Sequence, residues 1–232
     1  MDKVVDNVDN LPPANLFELD GAVLGLFAKQ PIPGQVKTRL SPPLSPEQAA
    51  QLYQIALEES VVRLRKLPQS LAICYDGQRS WFSKTFPGLP LLPQIEGDLG
   101  ARMQAASAAL FATSGGPVAL IGSDSPDLPL SLAQQALQAL ENCDVATIPC
   151  RDGGYALIAL KQPQPGLFDA MPWSSEQLLD ATRAQAKTLG LDYFETEPWE
   201  DLDDMPSLRR LLERSPESAT AKHLRAHLSG LF

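Results

Sequence analysis

The sequence predicts a three-layer α/β/α sandwich with a mostly parallel, mixed sheet. Apolar runs of strand length alternate with helix-spaced segments along the chain, and turns rich in glycine, proline or aspartate separate them. The chain has 232 residues, of which 44% are hydrophobic and 20% charged, which fits one large domain with a sizeable core. We expect residues 1–20, which are polar and acidic, to form a flexible leader, and residues 21–232 to form a single domain.

Composition narrows the class of protein. The net charge of −9 argues against a general nucleic-acid or anionic membrane surface. Cys74, Cys143 and Cys150 lack the spacing of a metal site, so we interpret them as reduced, mostly buried thiols. No run is long enough to span a membrane, and the N-terminus lacks a signal-peptide core. We therefore expect a soluble, cytoplasmic protein without nucleic-acid or membrane partners.

The first half of the chain alternates strand and helix signals. Residues 22–28 have the length and composition of a buried parallel strand. A helix follows, with Ser45 as N-cap, Pro46 at the first helical position and Gln48 completing a capping box. The later elements are strand 71–75, short helix 80–86, weak strand 91–95 and alanine-rich helix 101–112.

The second half continues the alternation. Residues 118–122 give the strongest buried-strand signal in the chain and lead directly into an acidic turn. We expect Ser174 or Ser175 to cap a helix that ends at Leu189, and Ser215 to cap the final helix. The other elements are helix 131–140, strands 144–148, 155–160 and 192–197, and a short helix from Pro206.

A basic loop follows the first strand. Asp20 and Glu47 bracket a stretch without any acidic residue, although the protein as a whole is acidic. In an open α/β sheet, ligands bind beyond the carboxyl ends of the strands, where cationic loops with free N–H groups suit phosphates. The pattern favours phosphate recognition over a solvated basic loop. The candidate residues are Lys29, Gly34, Lys37, Thr38 and Arg39.

Two acidic segments are candidates for a metal site. Asp124 follows the strongest strand, where a carboxylate can hold a divalent cation against a diphosphate. The alternative is an Asx-turn or a helix N-cap, a role that Asp127 could also fill for the next helix. Alternation at a strand end places Asp201 and Asp203 on one face with Leu202 in the core. Two like charges held together are unfavourable unless a cation lies between them, so the pair is a candidate metal site. The alternative interpretation of this segment is a solvated acidic turn.

Two further segments could touch a ligand. The turn at Asp152, Gly153 and Gly154 leads into Tyr155, and its glycines allow close backbone approach, although a plain hairpin turn is an equal alternative. Residues 97–103 open a helix whose N-terminus favours anions, unless Arg102 pairs with a nearby acid. We interpret His223 and His227, which lack the Glu of a His-Glu-x-x-His motif, as surface residues.

Together these motifs resemble a known family. They read KxPxPGxVKTRL at 29–40, GDLGxRM at 97–103, GSDSPDLP at 122–129, DGGY at 152–155 and DLD at 201–203. In this order they resemble the DUF2064 family, glycosyltransferases of arsenosugar biosynthesis in the nucleotide-diphospho-sugar transferase (GT-A) superfamily. The KTRL loop also resembles that of the 2-phospholactate guanylyltransferases, a nucleotidyltransferase branch of the same fold. One departure is Ser207, which stands where family members usually carry the last acid of the acidic motif.

The resemblance implies a GT-A fold and assigns roles to the motifs. Asp124 would bind Mg²⁺ or Mn²⁺ with Asp203 as its partner. The turn at 152–155 would form part of the sugar or acceptor pocket. The first loop and the segment 97–102 would cradle the nucleotide, which adds Gly97, Asp98, Leu99, Gly100 and Arg102 to the binding residues.

We therefore predict a metal-dependent transferase that moves a sugar from a nucleoside-diphosphate sugar to a small-molecule acceptor. Lys37, Arg39 and the metal would stabilise charge on the leaving nucleoside diphosphate, and Asp152 is the candidate general base. One alternative is nucleotidyl transfer from a nucleoside triphosphate to a phosphorylated metabolite, with release of pyrophosphate. Another is a non-catalytic nucleotide-binding module, which would not need both Asp124 and Asp203. The nucleotide base, sugar, acceptor and oligomeric state stay open.

Overall fold

The computed structural model describes Leu19, residues 21–228 and Gly230. Apart from Leu19, which is buried, the predicted leader lies outside the described residues. The described strands are β1 (Gly21–Lys29), β2 (Ser70–Asp76), β3 (Leu91–Pro93), β4 (Gly115–Gly122), β5 (Val145–Pro149), β6 (Tyr155–Leu160) and β7 (Tyr193–Glu195).

These strands form one mixed sheet in the order β3-β2-β1-β4-β6-β5-β7. All neighbours pair in parallel except β6, which runs antiparallel to β4 and β5. The mostly parallel sheet of the sequence prediction is confirmed. Because β6 is reversed, its first residue, Tyr155, lies at the same edge as the carboxyl ends of β1 and β4.

Helices cover both faces of the sheet. They are α1 (Pro46–Leu64), α2 (Arg79–Thr85), α3 (Leu99–Ser114), α4 (Leu130–Ala139), α5 (Leu178–Thr188), α6 (Met205–Arg214) and α7 (Ala219–His227). One core cluster joins α1, α2 and α4 to one face, and a second joins α3 and α5 to the other. A third cluster packs α6 and α7 against α1. The structure thus confirms the three-layer α/β/α sandwich. It also has 3-10 turns at Thr38–Leu40 and Pro165–Phe168, which the sequence patterns did not indicate.

The cap predicted for α1 is confirmed, but two later caps were wrong. The Ser45 hydroxyl accepts a hydrogen bond from the Gln48 N–H, and the Gln48 side chain accepts one from the Ser45 N–H. Helix α5 begins at Leu178, because Ser175 is held in the preceding turn, where its hydroxyl donates to the Pro172 carbonyl. Helix α7 is capped by Ser218, since Ser215 already ends α6.

The histidine interpretation was half wrong. His227 is exposed, but His223 of α7 is buried and only 8% exposed. All three cysteines are buried and free, which confirms their interpretation as buried thiols. Among the helices of the described residues, none is long and apolar enough to cross a membrane.

Candidate active site

A cleft runs along the edge of the sheet where β1 and β4 end and β6 begins. It consists of two adjoining cavities of about 550 and 640 Å³, within the size range of ligand pockets. The larger cavity takes in the basic loop after β1, and the smaller one the turn before β6. Both are lined by Arg39, Leu99, Tyr155, Asp201 and Asp203.

Lys37 lies at the floor of this cleft, held by both acidic segments. Its Nζ atom is 2.6 Å from Oδ1 of Asp124 and 3.1 Å from Oδ1 of Asp203, and it also donates to the Leu202 carbonyl. Its side chain is only 5% exposed. Burial lowers the pKa of this ammonium, but the two carboxylates outweigh burial and raise it above its usual value. Lys37 is therefore a charged lysine whose three N–H groups all point at protein oxygens.

The backbone at Lys37 is shaped for this contact. Its φ angle is +47°, a left-handed conformation that is uncommon for a residue with a side chain. The following residues, Thr38–Leu40, form a 3-10 turn whose Leu40 is fully buried. The loop is thus anchored at Lys37 and Leu40. Between them, Thr38 and Arg39 are exposed and line the larger cavity.

The two acidic segments are also joined directly. The Leu202 N–H donates to the Asp124 carbonyl at 2.8 Å, and the Ser125 hydroxyl donates to the Asp201 carboxylate. Leu202 is 1% exposed, as its predicted place in the core requires. Burial, with a further contribution from the Asp124 charge, raises the pKa of Asp201 to about 6. Asp201 is half-buried and held by Ser125, whereas Asp124 and Asp203 bind Lys37 and have side chains that are 45% and 38% exposed.

A divalent cation fits Asp124 and Asp203. Both carboxylates converge on one positive centre, the Lys37 ammonium, and both keep a large exposed fraction at the cleft. Carboxylate oxygens are the ligands that Mg²⁺ and Mn²⁺ prefer, and Mg²⁺ commonly takes one or two protein carboxylates and completes its shell with phosphate and water. Within the described residues, no group of three or more His, Cys, Asp and Glu forms a complete protein cage, so such a cation would need those additional ligands.

A buried ion pair fixes the positions of the two acidic segments, and it replaces the N-cap role considered for Asp127. Asp127 is 1% exposed at its side chain and accepts two hydrogen bonds from Arg214, at 2.6 and 3.0 Å. Arg214 also binds Glu200 at 2.9 Å and lies over the Trp199 ring, with its Cζ 4.7 Å from the ring centroid. Helix α4 has no side-chain cap. Arg214 therefore connects the turn after β4 to the segment that carries Asp201 and Asp203.

The outer cations of the cleft are more exposed than Lys37. Arg39 has a side chain that is 74% exposed, and its Nη1 atom is 3.6 Å from Oδ2 of Asp203. Lys29 ends β1 and lines the larger cavity. Arg102 reaches the same cavity, but its Nη1 atom binds Asp76 at 2.9 Å, which is the alternative that the sequence left open.

The segment that opens α3 serves mainly to support the cleft. Gly97 and Leu99 line it, whereas Asp98 caps α3 by accepting from the Ala101 N–H at 2.8 Å. A Cβ atom at Gly100 would lie 2.5 Å from the Trp173 Nε1 atom. A side chain at position 100 would therefore clash with Trp173, and neither Asp98 nor Gly100 lines either of the two cavities of the cleft.

In the turn before β6, likewise, some residues line the cleft and others are needed for packing. Asp152 and Gly154 line the smaller cavity, and the Asp152 carboxylate accepts a hydrogen bond from the Gly154 N–H at 3.0 Å. Gly153 has φ of +87°, and a Cβ there would lie 2.0 Å from the Glu176 carbonyl oxygen. Gly153 is thus required by the packing of the loop before α5. Gly34 likewise lies outside both cavities, in an exposed turn with φ of +77°.

Sequence reasoning missed one wall of the cleft and part of its floor. Trp173 and Ser174 line the smaller cavity, and Ser174 has a φ angle of +60° that no residue pattern indicates. Tyr53, a buried residue of α1 that was not among the candidate site residues, also lines the larger cavity beside Ser123. The lone tryptophan between Pro172 and two serines was the one signal available for the missing wall.

Comparison with known proteins places the chain in a family. The sequence profile of the family described as "Uncharacterized protein conserved in bacteria (DUF2064)" matches residues 58–175. The chain belongs to the DUF2064 family. The matched stretch contains Asp124 and the turn at 152–155, and the basic loop and Asp203 lie outside it. No curated protein matches the chain.

Solved structures support the fold of this DUF2064 chain. A candidate nucleotide-diphospho-sugar transferase from Desulfovibrio desulfuricans G20 is 31% identical over 90% of this chain and 95% of that one, with a TM-score of 0.83. Rv0371c from Mycobacterium tuberculosis H37Rv, solved in complex with manganese, is 15% identical over 84% of this chain and 99% of that one, with a TM-score of 0.53. A CMP:2-keto-3-deoxy-manno-octonic acid synthetase complexed with CTP is 12% identical over 82% and 96%, with a TM-score of 0.52. The chain thus has a nucleotide-diphospho-sugar transferase-like fold.

Proposed function

We propose that this chain is a divalent-metal-dependent transferase that uses a nucleoside-diphosphate sugar as donor. The observation that carries the proposal is the convergence of Asp124 and Asp203 on one cationic centre at the floor of the cleft. The 31% identical relative, described as a candidate nucleotide-diphospho-sugar transferase, supports the choice of donor. Mg²⁺ or Mn²⁺ at the two carboxylates would supply positive charge to the diphosphate.

The two cavities would bind different parts of the donor. Arg39 and Lys29 bring positive charge to the larger cavity, which suits the phosphates of the donor, whereas the charge of Arg102 is already paired with Asp76. The smaller cavity combines the Trp173 ring with polar groups from Ser174, Ser175 and Asp152, a surface suited to a sugar or its acceptor.

Leaving-group stabilisation is the chemistry this arrangement supports best. When the bond between sugar and diphosphate breaks, negative charge grows on the departing phosphate, and fixed positive groups lower the barrier most when they lie beside it. Arg39 is suited to this because its guanidinium is exposed at the cleft. Asp152 is the candidate base for the acceptor hydroxyl, since its carboxylate lines the cavity on the sugar side.

Nucleotidyl transfer from a triphosphate is the second candidate. The likeness to a synthetase complexed with CTP is a likeness of fold alone. Against it stands the basic loop, which carries Pro31 and Pro33 and so offers fewer N–H groups to wrap a triphosphate.

The test is to identify the product that the protein releases. The protein is incubated with Mn²⁺ and a panel of sugar nucleotides and nucleoside triphosphates, and slow hydrolysis is followed, with Asp124→Asn as the matched control. Free nucleoside diphosphate from a sugar nucleotide, absent with Asp124→Asn, is the expected result. Pyrophosphate released only from a triphosphate would favour the second candidate, and no turnover with tight nucleotide binding would favour a non-catalytic binding module.

A further inference from the structure

A short chain of hydrogen bonds crosses the floor of the larger cavity. The Lys29 N–H donates to the Tyr53 hydroxyl oxygen at 2.9 Å, and that oxygen lies 2.8 Å from the Ser123 hydroxyl. Tyr53 is 4% exposed and Ser123 is 5% exposed, and both line the cavity. These hydrogen bonds therefore link the end of β1 to the end of β4 through a side chain of α1.

The direction of the hydrogen bond between Tyr53 and Ser123 follows from the donor strengths of the two hydroxyls. A backbone N–H can only donate, so the Tyr53 oxygen is an acceptor toward Lys29. Either direction leaves one hydroxyl proton without a protein acceptor among the described residues, but a phenol is more acidic than an aliphatic hydroxyl and is therefore the stronger donor of the two. Burial, followed by the negative charge of Asp124, raises the pKa of Tyr53 to about 12, so the phenol keeps its proton at neutral pH. The phenolic proton is therefore donated to Ser123.

This direction leaves the Ser123 proton available. A serine hydroxyl has one proton and two lone pairs, and Tyr53 occupies one lone pair. Within the described part of the chain, the Ser123 hydroxyl has no hydrogen-bond partner other than Tyr53. A buried donor without an acceptor is unfavourable, so a ligand that supplies an acceptor to the Ser123 hydroxyl is favoured here.

We propose that the Ser123 hydroxyl is a binding residue that donates to a phosphate oxygen of the nucleotide, with Tyr53 as the positioning residue that sets its direction. The proposal rests on the proposed function, because the ligand is taken to be a nucleotide. A phosphate oxygen is the expected acceptor because Ser123 precedes Asp124 and shares its cavity with Lys29 and Arg39. A hydrogen-bond donor beside these cations adds a directional contact to a site that otherwise binds phosphate through charge.

The probe is inorganic pyrophosphate with Mn²⁺, which carries the phosphate chemistry without a base or sugar. Calorimetry compares the wild type with Ser123→Ala, Tyr53→Phe and the double variant. We expect Ser123→Ala to weaken binding about tenfold, as for loss of a hydrogen bond to a charged group, when each variant is measured at a temperature where it is folded. Tyr53→Phe should weaken binding less, and the double variant no more than Ser123→Ala, because Tyr53 acts through Ser123.

The control is Ser60→Ala, which removes a buried hydroxyl that donates within α1 to the Ala56 carbonyl and should leave pyrophosphate affinity unchanged. Wild-type affinity in Ser123→Ala overturns the inference and leaves the proposed function intact. Additive losses in the double variant overturn the positioning role of Tyr53. Failure of the wild type to bind pyrophosphate with Mn²⁺ counts against both the inference and the proposed function.

Discussion

The Nζ atom of Lys37 lies 2.6 Å from Oδ1 of Asp124, and the same ammonium binds Asp203 on its other side. A basic loop and an acidic strand end, predicted as separate sites for phosphate and metal, thus meet at one point. The ammonium is held by the same two carboxylates that would hold the cation. Lys37 and a divalent metal would therefore compete for the same two carboxylates.

This competition gives the first prediction. Lys37→Met should raise the affinity for Mn²⁺ in the absence of nucleotide about tenfold, because it removes a positive charge next to both carboxylates. The measurement is electron paramagnetic resonance of free Mn²⁺. Arg39→Met is the matched control and should change the affinity less, since its guanidinium is exposed and 3.6 Å from Asp203. Weaker Mn²⁺ binding in Lys37→Met would show that the lysine supports the carboxylates instead.

Features that depend on residues close together in the sequence, such as strands and turns, could be predicted from it. The apolar run before Lys29 and the run before Asp124 each identified a buried strand, and a parallel sheet brings their ends to one edge. The contact between Lys37 and Asp203 joins residues 166 positions apart and depends on how the C-terminal segment returns to the sheet. No local pattern encodes that return. The same reason explains why the Gly153 turn was predicted but its packing on Glu176 was not.

The exposed cation of the basic loop gives the second prediction. Arg39→Ala should weaken nucleotide binding by about 1.5–3 kcal/mol, the range for hydrogen bonds to charged groups, with little change in melting temperature. Its side chain is 74% exposed, so its removal leaves the core unchanged. Calorimetry and thermal denaturation measure the two effects. Lys222→Ala, an exposed cation of α7, is the control. A large fall in melting temperature with unchanged affinity would make Arg39 structural.

The buried pair of Asp127 and Arg214 gives the third prediction. Arg214→Met should lower the free energy of unfolding by about 3–5 kcal/mol, because it leaves a buried carboxylate without its partner. The double variant Asp127→Asn/Arg214→Met should recover much of that loss, since no buried charge remains. Denaturant unfolding measures both variants. Arg210→Met removes an exposed partner of Glu200 and should change stability little. Equal effects of Arg214→Met and Arg210→Met would contradict the account.

The buried histidine of α7 gives a prediction about pH. Burial, followed by the charge of His227, lowers the pKa of His223 below its usual value. The unfolded chain then binds a proton more readily than the folded chain, so this part of the stability is present above about pH 6.5 and is lost as pH falls through the folded pKa. His223→Gln should make the free energy of unfolding less dependent on pH between about 7 and 5. His227→Gln should retain most of the dependence, and an identical slope in wild type and His223→Gln would refute the assignment.

The central claim is that Asp124 and Asp203 hold a divalent metal that binds the diphosphate of the donor. Calorimetric titration of the protein with a sugar nucleotide, in Mn²⁺ and in EDTA, tests it most directly, with Asp124→Asn measured alongside. The account predicts that Mn²⁺ strengthens binding to the wild type and that Asp124→Asn, measured at a temperature where it is folded, loses this gain. Equal affinity of the wild type in Mn²⁺ and in EDTA would contradict it.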